Sequence, residues 1–452
     1  MPNSYFQAGV AKTDITPPLG TFINGDFITH YANKVHDLLY AKALVLQNHD
    51  IVIALVVVDI CIMPKDFLDE VKSDVFKLTG IRPANILISS THTHAAGSIE
   101  GILLGATDLP YRKKLRDLIV QSVQKAKQHL RPAKIAFGSV DAPEHVVCRR
   151  YYMKEGYKAP NPVTGGFDKV KTNPIGAEDQ IVTRVSEVDT RLNYLAVQGV
   201  DNRWLGLLGN YSMHYVGDWP NGTICADYFG FFSKHLAHKL NADDQFVGML
   251  SNGTSGEANI WDFLQPDRYP KDFFKKSELI GNDLAEKVVA SLNHLAWETN
   301  PSLEVRYEEL TVPVRKPSAT ELEEAKKVIA ASDYENLTAN EEGLKRLYAR
   351  EQVLLNEYPD NVPFPIQVIR IGSGTIGGLA GEFFAETGLW LKEQISKTNY
   401  FTITLANGYT GYVPPEHELE LGGYETWRCR TSYINAEKEI RKKLLELRYQ
   451  LK

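Results

Sequence analysis

Ile86-Leu87-Ile88-Ser89-Ser90-Thr91-His92-Thr93-His94 is the stretch that decides the fold. An apolar run typical of a buried β-strand leads into two histidines, and small residues follow at 95–98. Side chains alternate between the two faces of a strand, so His92 and His94 point the same way if the extended conformation persists. Open α/β sheets place their chemistry where strands end. The stretch therefore predicts a metal site at the end of a buried strand.

Strands and helices alternate along most of the chain, and this pattern predicts an α/β fold with mixed sheets and flanking helices. The predicted strands span residues 41–47, 51–58, 86–89, 133–140, 181–188, 192–197, 204–211, 246–250, 303–315 and 366–380. The predicted helices span residues 64–78, 111–130, 228–240, 276–295, 386–395 and 435–451.

Two segments interrupt this alternation. Residues 141–180 are rich in Gly, Pro, Asn, Tyr and basic residues without a clear period, and a loop of this length is usually functional or disordered. Residues 319–357 are rich in Glu, Lys and Arg with spaced aliphatic residues, which predicts an inserted helical hairpin. We expect this insertion to be a solvent-exposed structural feature rather than a binding surface.

Composition excludes several classes of function. A formal net charge of -6 over 452 residues gives no basic footprint, so no nucleic-acid partner is expected. No apolar run reaches the roughly 18–20 residues of a transmembrane helix. The N-terminus has no secretory signal, which predicts a cytoplasmic protein as the sequence stands, or a periplasmic or secreted one if a leader has been removed. The four cysteines lie far apart without a CxxC pair, so we expect buried, reduced thiols.

Two more polar residues follow apolar strands. His214 ends the run 208–213, and Glu382 follows the run 376–381. Zinc catalysis needs three or four nitrogen or oxygen ligands and one position open to water or substrate. Asp218 and Asp227 are near enough in sequence to fix the tautomer of His214. Taken alone, however, His214 also fits a structural histidine, and Glu382 also fits a helix cap.

Tyrosines are concentrated near the C-terminal end, in Asn407-Gly408-Tyr409-Thr410-Gly411-Tyr412-Val413-Pro414-Pro415 and again at Tyr424. A phenolate is an unusual zinc ligand, so this stretch alone indicates a loop with interfacial aromatic residues. Its relation to the histidines comes from a family resemblance.

The residues 8–20 (AGVAKTDITPPLG), the strand 41–46 (AKALVL) and the turn 91–94 (THTH) resemble neutral/alkaline ceramidases, which are zinc amidases that cleave the N-acyl bond of ceramide. The resemblance extends to Tyr424 and implies that residues 1–452 form a single ceramidase-like catalytic domain with the helical insertion at about 319–357. No C-terminal immunoglobulin-like domain is expected.

The same resemblance implies roles for individual residues. The implied zinc ligands are His92, His214, Glu382 and Tyr412. The implied substrate-side or catalytic residues are His94, Tyr424 and Arg149, with Arg150 an alternative to Arg149.

One position departs from the family pattern. Where the family has Gly-Asp-Val-Ser-Pro-Asn with an active-site serine, this chain reads Gly256-Glu257-Ala258-Asn259-Ile260-Trp261, so Asn259 replaces that serine. This departure and the expected lack of the C-terminal domain argue against ceramide as the substrate.

The function expected from the sequence is zinc-dependent hydrolysis of an amide (N-acyl) bond by metal-activated water, in a small-molecule or lipid-like substrate. Imidazole and carboxylate ligands also suit iron, manganese and cobalt. Two alternatives remain open. One is a zinc esterase or a deacetylase that acts on a small polar or sugar substrate, which the basic residues of 141–180 favour. The other is a non-catalytic metal-binding scaffold.

Overall fold

Two β-sheets packed face to face form the centre of the molecule. The computed structural model describes residues 6–23, 25–334, 337–431 and 435–451. Within these residues the larger sheet has, in spatial order, the strands Val247–Asn252, Trp204–Tyr211, Arg191–Gly199, Arg131–Asp141, Gln7–Asp14, Tyr40–Asn48, Ile51–Val58 and Ile86–Ser90. The smaller sheet has the strands Leu303–Pro313, Asn361–Ile371, Gly374–Leu379 and Tyr400–Ile403.

The strands of the larger sheet are buried on both faces. In Tyr40–Asn48, Ala43 and Val45 face one core and Leu44 and Leu46 face another, as the alternation of side chains requires. The core that contains Leu44 and Leu46 lies between the two sheets, because it also contains apolar residues of the smaller sheet. This double burial explains why the strands read as continuous apolar runs.

Helices cover the outer faces of both sheets and give a four-layer α/β/β/α arrangement. The helices on the larger sheet are Lys65–Thr79, Leu109–Gln128, Asp227–Lys239 and Lys275–Ser291. Those on the smaller sheet are Ala385–Gln394 and Ala436–Tyr449. The predicted mixed α/β fold is therefore confirmed. In the described part of the chain, no helix combines the length and the apolar character needed to cross a bilayer.

Short elements complete the chain. The short strands are Phe22–Ile23, His30–Tyr31, Lys34–Val35, Val147–Cys148, Arg150–Met153, Ala159–Pro160, Phe167–Asp168, Lys171–Thr172, Ile181–Arg184, Thr223–Ile224, Ala258–Asn259, Glu382–Phe383 and Tyr412–Val413. The short helices are Pro83–Asn85, Pro143–His145, Glu178–Gln180, Leu292–His294, Glu416–Leu419 and Tyr424–Trp427. The four cysteines are free and buried, as predicted.

The two edges of the larger sheet are bridged by one loop of the smaller sheet. Thr404 N donates to the carbonyl of Asn252 at 3.0 Å, and Ser90 N donates to the carbonyl of Leu405 at 3.2 Å. Asn252 and Ser90 are the last residues of the two opposite edge strands. The loop therefore contacts the ends of two strands that lie at opposite edges of the larger sheet.

One predicted strand was wrong. Residues 366–380 were expected to be a single strand, but they contribute to two antiparallel strands, Asn361–Ile371 and Gly374–Leu379. The reversal occurs at Gly372, whose φ of 56° lies in the left-handed region that glycine adopts without steric cost.

The inserted segment consists of the helices Ala319–Ala330 and Glu341–Glu357. The expectation that it would be a solvent-exposed feature was wrong for its second helix. Leu347 and Tyr348 are buried in a cluster that also contains Tyr424 and Trp427. One face of the insertion thus packs on the tyrosine-rich region, because its spaced apolar residues fall on one side of the helix.

Candidate metal centre

Three buried side chains converge where the strands end. The Oε2 atom of Glu382 lies 3.5 Å from Nε2 of His92 and 3.2 Å from Nε2 of His214. These potential ligand atoms lie within 4.8 Å of one another. Each of the three follows the carboxyl end of a strand that has a parallel neighbour. The strands are Ile86–Ser90 before His92, Trp204–Tyr211 before His214 and Gly374–Leu379 before Glu382.

Backbone carbonyls fix the orientation of both imidazoles. Nδ1 of His92 lies 2.9 Å from the carbonyl oxygen of Cys61, and Nδ1 of His214 lies 2.8 Å from that of Ser255. A carbonyl can only accept, so each Nδ1 donates a proton and each neutral ring keeps a lone pair on Nε2. Such carbonyl contacts are typical of histidines that bind metals.

The predicted role of Asp218 and Asp227 was wrong. Asp227 accepts from the backbone N–H of Val216 at 2.7 Å, and Asp218 accepts from that of Ser277 at 3.0 Å. These carboxylates stabilise the loop after His214 and the start of a helix. The carbonyl of Ser255, which has no sequence signature, fixes the tautomer instead.

The two oxygens of the Glu382 carboxylate have different surroundings. Oε1 accepts a hydrogen bond from the hydroxyl of Tyr409 at 2.8 Å. Among the described residues, Oε2 receives no hydrogen bond. Burial raises the pKa of Glu382, and it is positive charge beside the carboxylate, at the positions of His92 and His214, together with the hydrogen bond from Tyr409, that brings this pKa well below the usual range.

The donor set fits a cation. Oε2 of Glu382 faces Nε2 of both histidines without a hydrogen bond among the described residues, and an unpaired acceptor in a buried site is costly. A metal ion would neutralise this cluster, and imidazole and carboxylate are common zinc ligands. Ligand atoms bound tetrahedrally at about 2.1 Å are about 3.4 Å apart, close to the observed 3.2 and 3.5 Å.

A backbone turn, rather than the alternation of side chains along a strand, brings His92 and His94 together. The strand ends at Ser90, and His92 adopts a φ of 72°. The two rings are nearly perpendicular, with Nε2 of His94 3.3 Å from Nε2 of His92. A non-glycine residue with positive φ is uncommon and often marks a functional site. The turn, not an extended strand, therefore sets the geometry.

Packing on both sides holds the ring of His94. It stacks on Tyr215 with ring centroids 3.7 Å apart. On another side lies Gly25, where a Cβ atom would lie 2.4 Å from Cγ of His94, so only glycine fits. Burial, and then the neighbouring His92 and His214, lower the pKa of His94 well below its ordinary value. His94 is therefore neutral at neutral pH.

Tyr412 lies beside the cluster. Its short strand pairs in parallel with that of Glu382 and places these two residues opposite each other. Nη2 of Arg149 donates to the hydroxyl of Tyr412 at 3.1 Å. Burial, and then the charge of Glu382, raise the pKa of Tyr412 well above its ordinary value. The ring of Tyr424 lies 5.8 Å from that of Tyr412.

Arg149 and Arg150 have different surroundings. Arg149 contacts Tyr412 and also donates to Oε1 of Glu425 at 2.7 Å. Arg150 donates to Oε2 of Glu425 at 2.8 Å and to Glu418 at 3.1 Å. Arg149 is thus the arginine that reaches the cluster, and Arg150 supports it through a shared carboxylate.

Two other groups also have potential ligand atoms within 4.8 Å of one another: Cys61, His92 and His94, which share His92 with the buried cluster, and a separate cluster of His36, Asp37 and Cys225. Here Nδ1 of His36 lies 2.6 Å from Oδ1 of Asp37, and Oδ2 of Asp37 accepts from the backbone N–H of Ala226 at 2.8 Å. A separation of 2.6 Å is that of a hydrogen bond and is shorter than the spacing of two tetrahedral ligands. This cluster is a hydrogen-bonded pair beside a buried thiol.

Sequence reasoning missed the groups that hold the cluster in place: the carbonyls of Cys61 and Ser255, the hydroxyl of Tyr409 and the carboxylate of Glu425. Backbone carbonyls leave no mark in a sequence. Tyr409 lies in the tyrosine-rich stretch, three residues before Tyr412, and its spacing alone could have drawn attention to it.

Comparison with known proteins places the chain in a family. The family model for the N-terminal part of neutral/alkaline non-lysosomal ceramidases matches residues 6–260, more than half of the chain. This chain belongs to that ceramidase family. Membership supports a hydrolase that acts on amide bonds. A search of curated proteins found no match.

Solved ceramidase structures share the fold of this family member. Neutral ceramidase from Pseudomonas aeruginosa is 17% identical with a TM-score of 0.74, and the match covers 98% of this chain and 74% of that one. A ceramidase complexed with C2 is 16% identical with a TM-score of 0.73, covering 99% and 76% of the two chains. At these identities the likeness shows the fold alone.

Proposed function

We propose that this ceramidase-family protein is a zinc-dependent amidase whose metal ligands are His92, His214, Glu382 and Tyr412. The observation that carries the proposal is the buried Oε2 of Glu382, which faces two imidazole lone pairs. Bound there, zinc would supply a water with its pKa lowered to about 7, a nucleophile for an acyl carbon.

His94 is the proposed proton carrier. Its Nε2 points toward the cluster and its ring is fixed by Tyr215 and Gly25. Because burial keeps the ring neutral, one ring nitrogen carries a proton and the other accepts one. His94 can therefore donate to the carbonyl oxygen or to the leaving nitrogen. Tyr424, one ring contact from Tyr412, is the second proposed donor.

Arg149 is proposed to hold Tyr412 in place. Its guanidinium is buried and paired with Glu425, so its charge is largely compensated before any substrate binds. It also donates to the hydroxyl of Tyr412 and to the carbonyl of Gly256, and it lies over the ring of Tyr424 at 5.8 Å. These contacts support a role in positioning Tyr412 beside the ligand set.

A cavity lies beyond Trp427 and Tyr424 from the cluster and offers space for part of a substrate. Its volume is about 830 Å³, and it lies between the inserted helices and the loop around residues 160–167. Its lining mixes apolar residues such as Val163 and Leu344 with charged ones such as Glu324 and Lys345, and Trp427 forms part of its wall. The ring of Trp427 lies 5.9 Å from that of Tyr424. Pockets of this size are typical for small-molecule ligands.

The alternative of a small anionic substrate loses its main support. That alternative relied on basic residues in 141–180, but Arg149 and Arg150 are buried in ion pairs with Glu425. Lys158 lies over the ring of Phe167 at 5.4 Å. We therefore favour a lipid-like amide over a small polar ester or sugar.

Ceramide remains disfavoured because of Asn259. Its Nδ2 donates to Asn173 at 3.1 Å, and its Oδ1 accepts from the backbone N–H of Trp261 at 2.9 Å. Both polar atoms of the Asn259 side chain are thus hydrogen-bonded within the protein. A fixed amide group therefore stands where the family has a serine. We propose an N-acyl substrate other than ceramide.

A series of N-acyl amines with graded chain length tests the proposal, with metal content measured on the same samples. We expect zinc-dependent hydrolysis whose rate rises with acyl chain length. We also expect other N-acyl amines to be hydrolysed faster than ceramide. Hydrolysis that persists in metal-free protein would contradict the zinc mechanism. A preference for acetyl esters or acetylated sugars would support the alternative.

A further inference from the structure

The hydroxyl of Tyr409 contacts one oxygen of Glu382 and leaves the other to the histidines. Its Oη donates to Oε1 at 2.8 Å, while Oε2 faces Nε2 of His92 and of His214. A phenol hydroxyl can donate and a carboxylate oxygen can only accept, so Tyr409 is the donor. The two oxygens of the carboxylate are thereby made inequivalent.

Without such a contact the carboxylate would be free to rotate. The last torsion of a glutamate side chain is broad and roughly two-fold, so it does not choose by itself which oxygen faces the imidazoles. A hydrogen bond to Oε1 fixes the plane of the carboxylate. It also prevents both oxygens from leaving the cluster together.

The loop that carries Tyr409 is tied to the strands that precede two of the cluster residues. The backbone N–H of Asn407 donates to the carbonyl of Ile88 at 2.8 Å, in the strand before His92. The hydroxyl of Thr410 donates to the carbonyl of Ala380 at 2.5 Å, two residues before Glu382. Tyr409 therefore lies on a loop whose backbone is held in place relative to both His92 and Glu382.

We propose that Tyr409 is a positioning residue that sets the metal affinity of the centre by orienting the carboxylate of Glu382. The proposal rests on the proposed function, since it assumes that the cluster binds a metal. Partners of this kind typically contribute a factor of about 10–100 to metal affinity. Tyr409 is not assigned any contact with the substrate.

The test compares Tyr409→Phe with a matched control, Tyr400→Phe. Tyr400 is a buried tyrosine of the same sheet region, and its hydroxyl bonds to that of Thr402 at 2.8 Å rather than to Glu382. Zinc affinity is measured by competition with a chelator, and thermal unfolding is measured on metal-free protein. We expect Tyr409→Phe to bind zinc about 10–100-fold more weakly and Tyr400→Phe to bind it like the wild type.

A double-mutant cycle keeps the proposal testable if Tyr409→Phe is also less stable. In a Glu382→Ala background, Tyr409→Phe is expected to cause no further loss of zinc affinity, because the carboxylate that it orients is gone. A purely structural role would cause the same loss in both backgrounds and overturn the proposal.

The remaining outcomes separate this proposal from the proposed function. Zinc affinity of Tyr409→Phe within twofold of the wild type would overturn the role of Tyr409 and leave the metal centre standing. A wild type that binds no metal would overturn both.

Discussion

The two histidine clusters look alike in composition but differ in how their polar atoms are satisfied. In the His36–Asp37 pair, the imidazole and the carboxylate hydrogen-bond each other at 2.6 Å and are partly exposed. In the buried cluster, the Nδ1 atoms of His92 and His214 donate to backbone carbonyls, and their Nε2 atoms face Glu382. The His36–Asp37 pair satisfies its own polar atoms, whereas the buried cluster leaves Oε2 of Glu382 without a hydrogen bond among the described residues.

This difference shows that the hydrogen-bond partner of a histidine's Nδ1 distinguishes a candidate metal site better than the distance between potential ligand atoms does. Potential ligand atoms lie within 4.8 Å of one another in both clusters. Only in the buried one do carbonyl partners force lone pairs toward one point. Protein interiors tolerate few unpaired buried acceptors, so such a convergence calls for a ligand.

The largest effect is expected from Glu382→Gln. The amide keeps Oε1 for Tyr409 and places an NH₂ group where Oε2 faces His92 and His214. Zinc affinity should fall by more than about 100-fold, beyond what outer partners contribute, and hydrolysis should fall with it. The metal-free variant should be more stable than the metal-free wild type by about 1–3 kcal/mol, because the amide satisfies the two nitrogens. Chelator competition and thermal unfolding measure the two effects, and a destabilised metal-free variant would contradict this account.

His94→Ala should separate binding from catalysis. The ring contributes no atom to the proposed ligand set, so the variant should keep one zinc per chain. Its turnover should fall by about 10²–10³, the usual effect of losing one donor to the developing oxyanion. Steady-state kinetics with metal analysis of the same sample provide the check. Normal turnover would exclude His94 from the mechanism.

The smallest effect is expected in the other cluster. His36→Gln removes an imidazole from a partly exposed pair, and such pairs contribute about 0–1 kcal/mol. The free energy of unfolding should change by no more than that, with zinc content and activity unchanged. Chemical denaturation gives the comparison, and a loss of zinc in this variant would show that the second cluster also binds metal.

Much of the fold could be predicted because strong local patterns determine it. The strand Ile51–Val58 was predicted at its observed bounds, since an uninterrupted apolar run has few other solutions. The first long helix was predicted to end at residue 78 and ends at Thr79, where Gly80 adopts the left-handed conformation typical of a helix end. The bridging of the two sheet edges through Thr404 and Leu405 was not predictable, because it depends on contacts between distant strands.

The candidate site was predictable only as separate parts. His92, His214 and Glu382 each follow an apolar strand, and this is a sequence pattern. The positive φ of His92 and the carbonyl partner of His214 are properties of the backbone, so no residue type reveals them. The family resemblance supplied the grouping, and the structure shows where these side chains lie relative to one another.

The measurement that tests the central claim most directly is the zinc content of wild type and His92→Ala, purified without metal, equilibrated with zinc and freed of excess. We predict one zinc per wild-type chain and little or none in the variant, with the metal-free folds of both intact. Full occupancy in His92→Ala, or a wild type that takes up no zinc, would contradict the claim that this buried cluster is a metal centre.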